Sequence, residues 1–186
     1  MSEPRYPTQQ YLAGEFVISA GSLLFRRTAS EGLEICLVHQ RTRNEWLLPK
    51  GRKDERERVE DAALRETYEE TGWPCKLWPM TITTRAPPPP GVAISPSEAY
   101  IPRQSPNCIE PIAITIRTLP AGGIKLIYWF ITMVTGEDKV EGTQMANEDF
   151  ESHFMSIPQA LERLTFQCDR QLVQKAIDIV STSSSD

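Results

Sequence analysis

Three glutamates near the middle of the chain have the residue type and the spacing that metal-assisted chemistry requires. Glu66, Glu69 and Glu70 stand at positions i, i+3 and i+4, so a helix would place all three carboxylates on one face. Like charges this close destabilise an isolated helix, whereas Mg²⁺, or Mn²⁺ in its place, takes carboxylate oxygens as ligands beside water and substrate phosphate. The three glutamates therefore predict a divalent metal site.

Residues on either side of the glutamates add to the same site. Arg65 and Glu57 form a second charged layer that can orient the metal ligands by ion pairing. Gly51 allows a close approach of the backbone, so the carbonyl of Lys50 can reach the same ion. These positions are chemically consistent with one another.

The joint spacing of these residues distinguishes them from an ordinary charged helix. Any one glutamate fits a solvated helix face equally well, since acidic runs are common on exposed faces. The pattern fixes seven positions, which are Gly51, Glu57, Arg65, Glu66, Glu69, Glu70 and Gly72. It resembles the signature of the Nudix hydrolase family, G-x5-E-x7-R-E-U-x-E-E-x-G-U, in which U is bulky and apolar.

The resemblance implies an α/β fold, the Nudix α/β/α sandwich with a mixed central sheet, and Mg²⁺-dependent hydrolysis of a phosphoanhydride bond. Carried over by position, the metal-binding set is Glu66, Glu69, Glu70, Glu57 and the Lys50 carbonyl, and the catalytic set is Glu69, Glu66 and Arg65. Thr67 stands where the family has an aliphatic residue. We expect it to loosen the packing of the helix slightly without touching a ligand.

The general base that activates water is expected among the carboxylates. In related enzymes this base is either a glutamate of the signature or an acid of a later loop, and we favour Glu69. The later-loop alternatives are Glu148, Asp149 and Glu151, for which a plain polar loop is the competing interpretation.

A local basic cluster flanks the signature in a chain whose formal net charge is −5. Its members are Arg41, Arg43, Lys50, Arg52 and Lys53. Such clustering fits a small-molecule substrate with several phosphates. The alternative is that Arg52 and Lys53 balance the acids that follow them.

The segment EWLLPKG, which enters the signature, resembles two Nudix branches, the dinucleoside polyphosphate hydrolases and the diphosphoinositol polyphosphate phosphohydrolases. By position, Arg41 and Lys50 would contact substrate phosphates. Trp46 lies next to a polar loop and is the better candidate for stacking on a base, and Trp46 and Gly51 complete the substrate-binding set. Trp78, Tyr128 and Trp129 could also stack, although Tyr128 and Trp129 fit a core position better. The first strand lacks the basic residues typical of the inositol branch.

A helix and a preceding glycine turn must position these residues. Residues 57–71 are rich in Ala, Leu, Glu and Arg and end at Gly72, a typical C-terminal cap. Val59, Ala62 and Ala63 fall on the side of the glutamates, which predicts that this face of the helix points inward.

Apolar, β-prone runs surround this helix, and two helical patterns follow them. The strands are predicted at residues 15–26, 33–39, 75–85, 108–119 and 124–134, and the helices at 157–164 and 168–180. Both faces of the run 124–134 are largely apolar, which is typical of a strand covered on each side. Few βαβ units are present, so a sandwich is favoured over a doubly wound sheet.

The chain is expected to fold as one domain over residues 14–180. We expect a loose segment at 1–13 and a disordered tail at 181–186. Residues 86–107 are rich in Pro and Ser, which predicts an inserted loop without regular pairing, with a lid over the site as the alternative.

Composition excludes several classes of protein. The 186 residues are 40% hydrophobic and 24% charged, and no apolar run approaches the ~20 residues of a membrane span. The acidic balance argues against broad nucleic-acid binding. Four dispersed cysteines and two histidines have no zinc-finger spacing and predict reduced thiols, with Cys168 as a weak candidate for reactivity. A cytoplasmic or nuclear protein is expected, although a secreted protein trimmed of its signal would look the same.

Two other functions compete with hydrolysis of a multi-phosphate substrate. One is hydrolysis of a smaller target such as ADP-ribose, a nucleotide or an RNA cap. The other is a non-catalytic module that binds nucleotides or polyphosphates, against which the complete set of signature carboxylates speaks. The oligomeric state is left open by the sequence.

Overall fold

The computed structural model describes residues 5–30, 32–92, 95, 101–145 and 148–183. Within these residues the elements follow one another as β1 (Phe16–Thr28), β2 (Gly32–Gln40), β3 (Glu45–Leu47), β4 (Lys50–Arg52), α1 (Val59–Thr71), β5 (Cys75–Leu77), β6 (Met80–Thr84), β7 (Arg103–Cys108), β8 (Ala113–Thr118), β9 (Ile124–Val134), β10 (Phe150–Ser156), α2 (Ile157–Arg163) and α3 (Gln167–Ser183). Both helices and strands form, as the sequence patterns predicted.

A mixed sheet organises the molecule. Its central path runs β10-β2-β1-β9-β5, while β3 pairs with β2, β4 with β1, and β8 with β9. β1 and β9 run parallel over ten register pairs, from Phe16↔Ile124 to Phe25↔Met133, and the other pairs are antiparallel. β6 and β7 form a separate two-stranded sheet.

Helices cover both faces of the sheet, which confirms the predicted α/β/α sandwich. On one face Ala62 and Ala63 of α1 pack with Ala20 of β1 and Phe130 of β9. On the other face, residues of α3 such as Val173 join a larger core cluster with alternate residues of β1. Successive side chains of a strand point to opposite faces, so β1 and β9 are buried on both sides.

A close approach of β4 to β1 sets the position of the residues that precede α1. Gly21 lies opposite Lys50 in the register of these two strands. A Cβ atom added at Gly21 would lie 2.4 Å from the carbonyl oxygen of Pro49 and 2.5 Å from the Cβ of Lys50. Only glycine leaves room for the backbone of β4 at this point.

Helix α1 begins at Val59, two residues later than predicted, and ends where the sequence indicated. Gly72 adopts a left-handed conformation with φ 77°, and its N–H donates to the Tyr68 carbonyl at 2.8 Å. Glycine is the residue that reaches this backbone region without steric cost, so it ends the helix here.

Thr67 does not loosen the packing of α1, contrary to the sequence expectation. The side chain is fully buried, and its hydroxyl donates to the Ala63 carbonyl at 2.6 Å. Ser22 Oγ lies 2.7 Å from Thr67 Oγ1 and accepts from Thr132 Oγ1 at 2.8 Å. These hydrogen bonds connect α1 to β1 and β9. Each of the three buried hydroxyl groups has a partner, as buried polar groups require.

The prediction of a loop at 86–107 is wrong for residues 103–107. Arg103–Cys108 forms β7 and pairs with β6, with a register shift between Met80 and Ile82. Pro106 is tolerated because β7 is an edge strand, where a missing N–H removes no central ladder bond. The single strand predicted at 75–85 is also wrong, since it is divided between β5 and β6. The strand predicted at 108–119 forms as β8 but begins later, at Ala113, while Cys108 ends β7.

The ends of the chain differ in part from the expectation. Residues 5–13 form no helix or strand. Residues 181–183 belong to α3, so the predicted disordered tail is wrong for them. The remainder of these predicted segments, at 1–4, 93–94, 96–100 and 184–186, lies outside the described residues.

Two further sequence expectations concern the membrane and the thiols. No helix in the described part of the chain is long and apolar enough to cross a membrane. Cys36, Cys75, Cys108 and Cys168 are free thiols. Burial, followed by the nearby Asp169 carboxylate, raises the pKa of Cys168, which argues against a reactive thiolate at this position.

Replacing Gly21 by Ala tests the approach of β4 to β1. We expect Gly21→Ala to lower the free energy of unfolding by about 1–3 kcal/mol, because the new methyl group overlaps backbone atoms that cannot move independently. Urea denaturation measures the change. Gly14→Ala is the matched control, since nothing lies within 4 Å of its added Cβ, and its stability should change by less than about 0.5 kcal/mol. Equal stability of the two variants would contradict this view of β4.

Candidate active site

Two of the three signature glutamates point into the protein. Glu66 and Glu70 are only 8% and 3% exposed, while the Glu69 side chain is 30% exposed. The Glu66 carboxylate lies against the backbone of β4, since a Cβ added at Gly51 would fall 1.7 Å from its Oε2. Glycine at position 51 therefore makes the space that this carboxylate occupies.

Glu70 is held by the backbone of Lys50, the residue that precedes Gly51 in β4. The N–H of Lys50 donates to Glu70 Oε2 at 2.9 Å. Burial raises the pKa of Glu70 to about 8, against the opposing effect of the Lys50 charge and hydrogen bond. Burial also raises the pKa of Glu66, against its bond to Arg65. Both carboxylates thus lie where a negative charge is poorly solvated and a cation would stabilise it.

Arg65 connects the acids around α1. Its guanidinium donates to Glu57 at 2.8 and 2.9 Å, to Glu66 Oε1 at 2.8 Å and to Glu69 Oε2 at 2.9 Å. A fourth partner is the Arg52 carbonyl at 2.9 Å. Arg65 and Glu57 therefore form the charged layer that the sequence predicted, with Arg65 placed between the carboxylates of Glu66 and Glu69.

The carboxylates do not converge on one point. Among the described residues, no three His, Cys, Asp or Glu side chains are arranged closely enough to hold a metal ion. Glu70 faces the Lys50 amide, and Glu66 and Glu69 each accept from Arg65. The donor set nevertheless fits a hard divalent ion, because it consists of carboxylate oxygens and two of the carboxylates are buried without full compensation of charge.

The three later-loop acids separate in space. The charge of Glu148 acts on both Glu66 and Glu70, so this residue lies near the α1 carboxylates. Asp149 instead pairs with Arg41 at 2.6 Å. Glu151 lies 3.6 Å from His153 Nε2 and lines a different cleft. Only Glu148 of the three is placed to act with the signature glutamates.

A cleft of about 280 Å³ is lined by Lys50, whose backbone N–H bonds Glu70 of α1. Its basic side chains are Arg43, Lys50, Arg117 and Lys125. Lys50 connects the two regions, since its amide bonds Glu70 while its side chain lines the cleft. The charge of Glu70 also acts on Lys125, so the cleft lies within electrostatic reach of this carboxylate.

Arg117 and Lys125 stand directly opposite each other in the β8–β9 ladder. Like charges in this arrangement repel each other across the strands. Burial, and then the charges of Lys50, Arg117 and Arg52, lower the pKa of Lys125. The positive charges are therefore concentrated in the cleft, in a protein whose net charge is −5.

The structure brings only part of the predicted substrate-binding set together. Arg43 and Lys50 line the cleft, Gly51 contacts Glu66, and the charge of Arg52 reaches Lys125. Arg41 pairs with Asp149, and Lys53 Nζ donates to the Asp54 carbonyl at 2.7 Å.

Trp46 belongs to another cleft, of about 620 Å³. It stacks on His39 at 4.6 Å, and Arg163 lies 4.9 Å over its ring. Glu45 and Leu47, its neighbours in β3, line the cleft that contains Lys50, because successive side chains point to opposite faces. Two other tryptophans are packed, with Trp129 only 2% exposed and Trp78 against Phe25.

Arg117, Lys125 and Phe166 line the cleft but were not predicted from the sequence. A signal for the first two was present. A hairpin that turns at residues 119–123 places Arg117 opposite Lys125, and this like-charged pair is a pattern that an anion would stabilise. No comparable signal exists for Phe166, which precedes α3 and meets the cleft only through tertiary packing.

Solved structures with a similar fold come from several organisms. An Ap4A hydrolase of C. elegans is 18% identical, with 89% of this chain and 98% of that chain covered and a TM-score of 0.55. A Nudix family hydrolase of Clostridium perfringens is 15% identical, with 90% and 98% covered and a TM-score of 0.59. A MutT protein of Methanosarcina mazei Go1 is 17% identical, with 89% and 95% covered and a TM-score of 0.51. At these identities the likeness shows the fold.

The family itself is established by a sequence model. The model described as the NUDIX domain matches residues 16–176, which include every element from β1 to most of α3. The matched region contains the signature glutamates, the glycine beside them and the strands that hold both in place. The chain belongs to the Nudix hydrolase family, whose pyrophosphohydrolases act on acid anhydrides.

Proposed function

We propose that this protein hydrolyses a phosphoanhydride bond in a small molecule with several phosphates, either a dinucleoside polyphosphate or a diphosphoinositol polyphosphate. The observation that carries this proposal is the cleft in which Arg117 and Lys125 stand opposite each other beside Lys50. Phosphate oxygens would relieve the repulsion between these side chains and form charge-assisted hydrogen bonds with them. The α1 carboxylates adjoin this cleft through Lys50.

The acidic side of the site supports a divalent metal. Nudix hydrolases generally use divalent metal ions, typically Mg²⁺. Glu66 and Glu70 would hold the ion here with Glu69, while Arg65 and Glu57 orient the carboxylates. A bound ion would stabilise the charge that develops on the phosphate oxygens. The carbonyl of Lys50 remains a proposed ligand.

The chain's own residues then perform the proton transfer. Water attacks phosphorus, the bond from phosphorus to the bridging oxygen breaks, and the departing phosphate keeps the bond electrons. Glu69 accepts the proton of the attacking water, since its carboxylate is the most exposed of the three. Glu148 is the alternative base, because it lies near Glu66 and Glu70.

Glu70→Gln tests the metal site. We expect the affinity for Mg²⁺ and the rate of hydrolysis to fall about 10–100-fold, because a ligand charge is lost. The glutamine oxygen can still accept from the Lys50 amide, and the buried position disfavours charge, so the melting temperature should not fall. Calorimetric titration with Mg²⁺, phosphate release and thermal melting give the three readouts.

Asp61→Asn is the matched control for this variant, since Asp61 lies on the exposed side of the same helix. It removes the same charge from α1 and should leave metal affinity and turnover unchanged. Unaltered Mg²⁺ affinity in Glu70→Gln would remove Glu70 from the metal-binding set.

Glu69→Gln tests the assignment of the general base. The expected result is a fall in kcat of about 10²-fold or more with a smaller change in KM, because a base acts in the transition state. Glu151→Gln should behave as the wild type, since Glu151 faces His153 in another cleft. Full turnover in Glu69→Gln combined with its loss in Glu148→Gln would transfer the role to Glu148.

A substrate panel with Mg²⁺ tests the multi-phosphate class. The panel contains a dinucleoside tetraphosphate, a diphosphoinositol polyphosphate, ADP-ribose and capped RNA, and product release is measured for each. We expect turnover of a multi-phosphate compound, and Lys125→Met should raise its KM about tenfold because one phosphate contact is lost. Turnover of ADP-ribose alone would refute the multi-phosphate class while retaining the hydrolase.

A further inference from the structure

The buried surface of α1 consists of two rows of side chains that differ in kind. Within each row the buried residues are spaced four apart, and the rows are Ala62, Glu66 and Glu70, and Ala63, Thr67 and Thr71. Residues four apart lie one above the other on a helix, so the two rows run side by side. The row of carboxylates is therefore accompanied by a row of hydroxyl groups.

The direction of donation in the hydroxyl row follows from the number of protons. The Thr67 hydroxyl has one proton, which it donates to the Ala63 carbonyl at 2.6 Å. It therefore accepts from Ser22 Oγ, 2.7 Å away, and Ser22 Oγ in turn accepts from Thr132 Oγ1 at 2.8 Å. Each of these hydroxyl protons thus has one acceptor, which fixes the orientation of the three side chains.

A second contact fixes the end of the hydroxyl row. Ser152 Oγ of β10 donates to the Thr71 carbonyl at 2.7 Å. With Ser22 in β1 and Thr132 in β9, hydrogen bonds connect this row to three strands of the sheet. Hydrogen bonds restrict both distance and angle, whereas apolar contacts have no preferred direction. The hydroxyl row therefore limits the rotation of α1 about its own axis.

The rotation of α1 determines where the carboxylate row points. Glu66 lies against Gly51, and Glu70 accepts from the Lys50 amide, so both carboxylates point towards β4. The surface of a helix lies about 5–6 Å from its axis, so a rotation of about 10° moves a side-chain atom there by about 1 Å. The groups of a functional site need to be held within about 0.5 Å. A small rotation of α1 is thus enough to displace the two carboxylates from β4.

We propose that Thr67 is a positioning residue of the metal site, because its hydroxyl sets the rotation of α1 and thereby directs Glu66 and Glu70 towards β4. This inference rests on the proposed function, in which these two glutamates are metal ligands. The family has an aliphatic residue at position 67. A valine would fill a similar space but could not accept from Ser22, so the hydroxyl contributes direction in addition to volume.

Thr67→Val tests this role in the full chain. Calorimetric titration with Mg²⁺ should show a fall in affinity of about tenfold, as is common when a group that orients a metal ligand is lost. A second readout needs no metal. In the ¹⁵N–¹H spectrum of the metal-free chain, the Lys50 amide resonance should shift, because the Glu70 carboxylate moves relative to this N–H. Thr67→Ser keeps the hydroxyl and should retain both the affinity and the resonance of the wild type.

Ser22→Ala tests the same hydrogen bond from β1. It should reproduce the loss of Mg²⁺ affinity and the shift of the Lys50 resonance. Combining it with Thr67→Val should add little to either single variant, because the two residues belong to one network. Ser22→Ala and Thr67→Ser decide the question even if Thr67→Val does not fold.

Two control variants separate positioning from stability. Thr182→Val removes an exposed hydroxyl of α3 that bonds the carbonyl of Asp178, four residues earlier, and it should change neither readout. Val173→Ala creates a cavity in the core on the other face of the sheet. It should lower the melting temperature without changing the affinity for Mg²⁺ or the Lys50 resonance.

The outcomes distinguish this inference from the proposed function. Wild-type Mg²⁺ affinity and an unmoved Lys50 resonance in Thr67→Val and Ser22→Ala would overturn the positioning role and leave the metal site intact. A loss of affinity no greater than that of Val173→Ala at the same fall in melting temperature would also overturn it, since stability alone would explain the effect. Absence of Mg²⁺ binding in the wild type would refute the metal site of the proposed function, and this inference with it.

Discussion

The site depends on the contact between the backbone of β4 and the buried carboxylates of α1. Gly51 leaves the space that the Glu66 carboxylate occupies, and the amide of Lys50 donates to Glu70. The contact requires β4 to lie close to β1, which Gly21 permits, and α1 to be fixed on the same sheet, which the hydroxyls of Ser22 and Thr67 support. Two glycines without side chains thus determine where two charged groups can be buried.

Acidic and basic groups lie on opposite sides of this contact. Lys50 contacts both groups, because its backbone N–H donates to Glu70 while its side chain lines the basic cleft. Arg65 supports the acidic side by bonding Glu57, Glu66 and Glu69. A protein with a net charge of −5 can therefore attract an anion locally, since the field in a cleft depends on the nearest charges and less on the total.

The fold was largely predictable where periodicity is strong. The apolar strands β1 and β9, the helix α1 and its glycine cap follow from local patterns, although α1 begins two residues late. The strand that ends at Cys108 was not predictable, because a segment rich in Pro and Ser normally pairs with no other strand. It forms β7 only because β6 is available and because an edge strand tolerates Pro106. Likewise, α3 extends to Ser183 although the serine-rich end has little helical preference of its own.

The sequence by itself determined the acidic half of the site. Helix geometry places Glu66 and Glu70 together whatever the rest of the chain does, and the spacing to Gly51 and Gly72 identifies the family signature. Only the tertiary structure decided the other half. Strand register sets Arg117 against Lys125, the alternation of side chains sends Trp46 to a different cleft, and the packing of α3 brings in Phe166. The physical reason is that residues within a few turns of one helix have fixed relative positions, whereas residues on separate elements meet only after the sheet and its helices have packed.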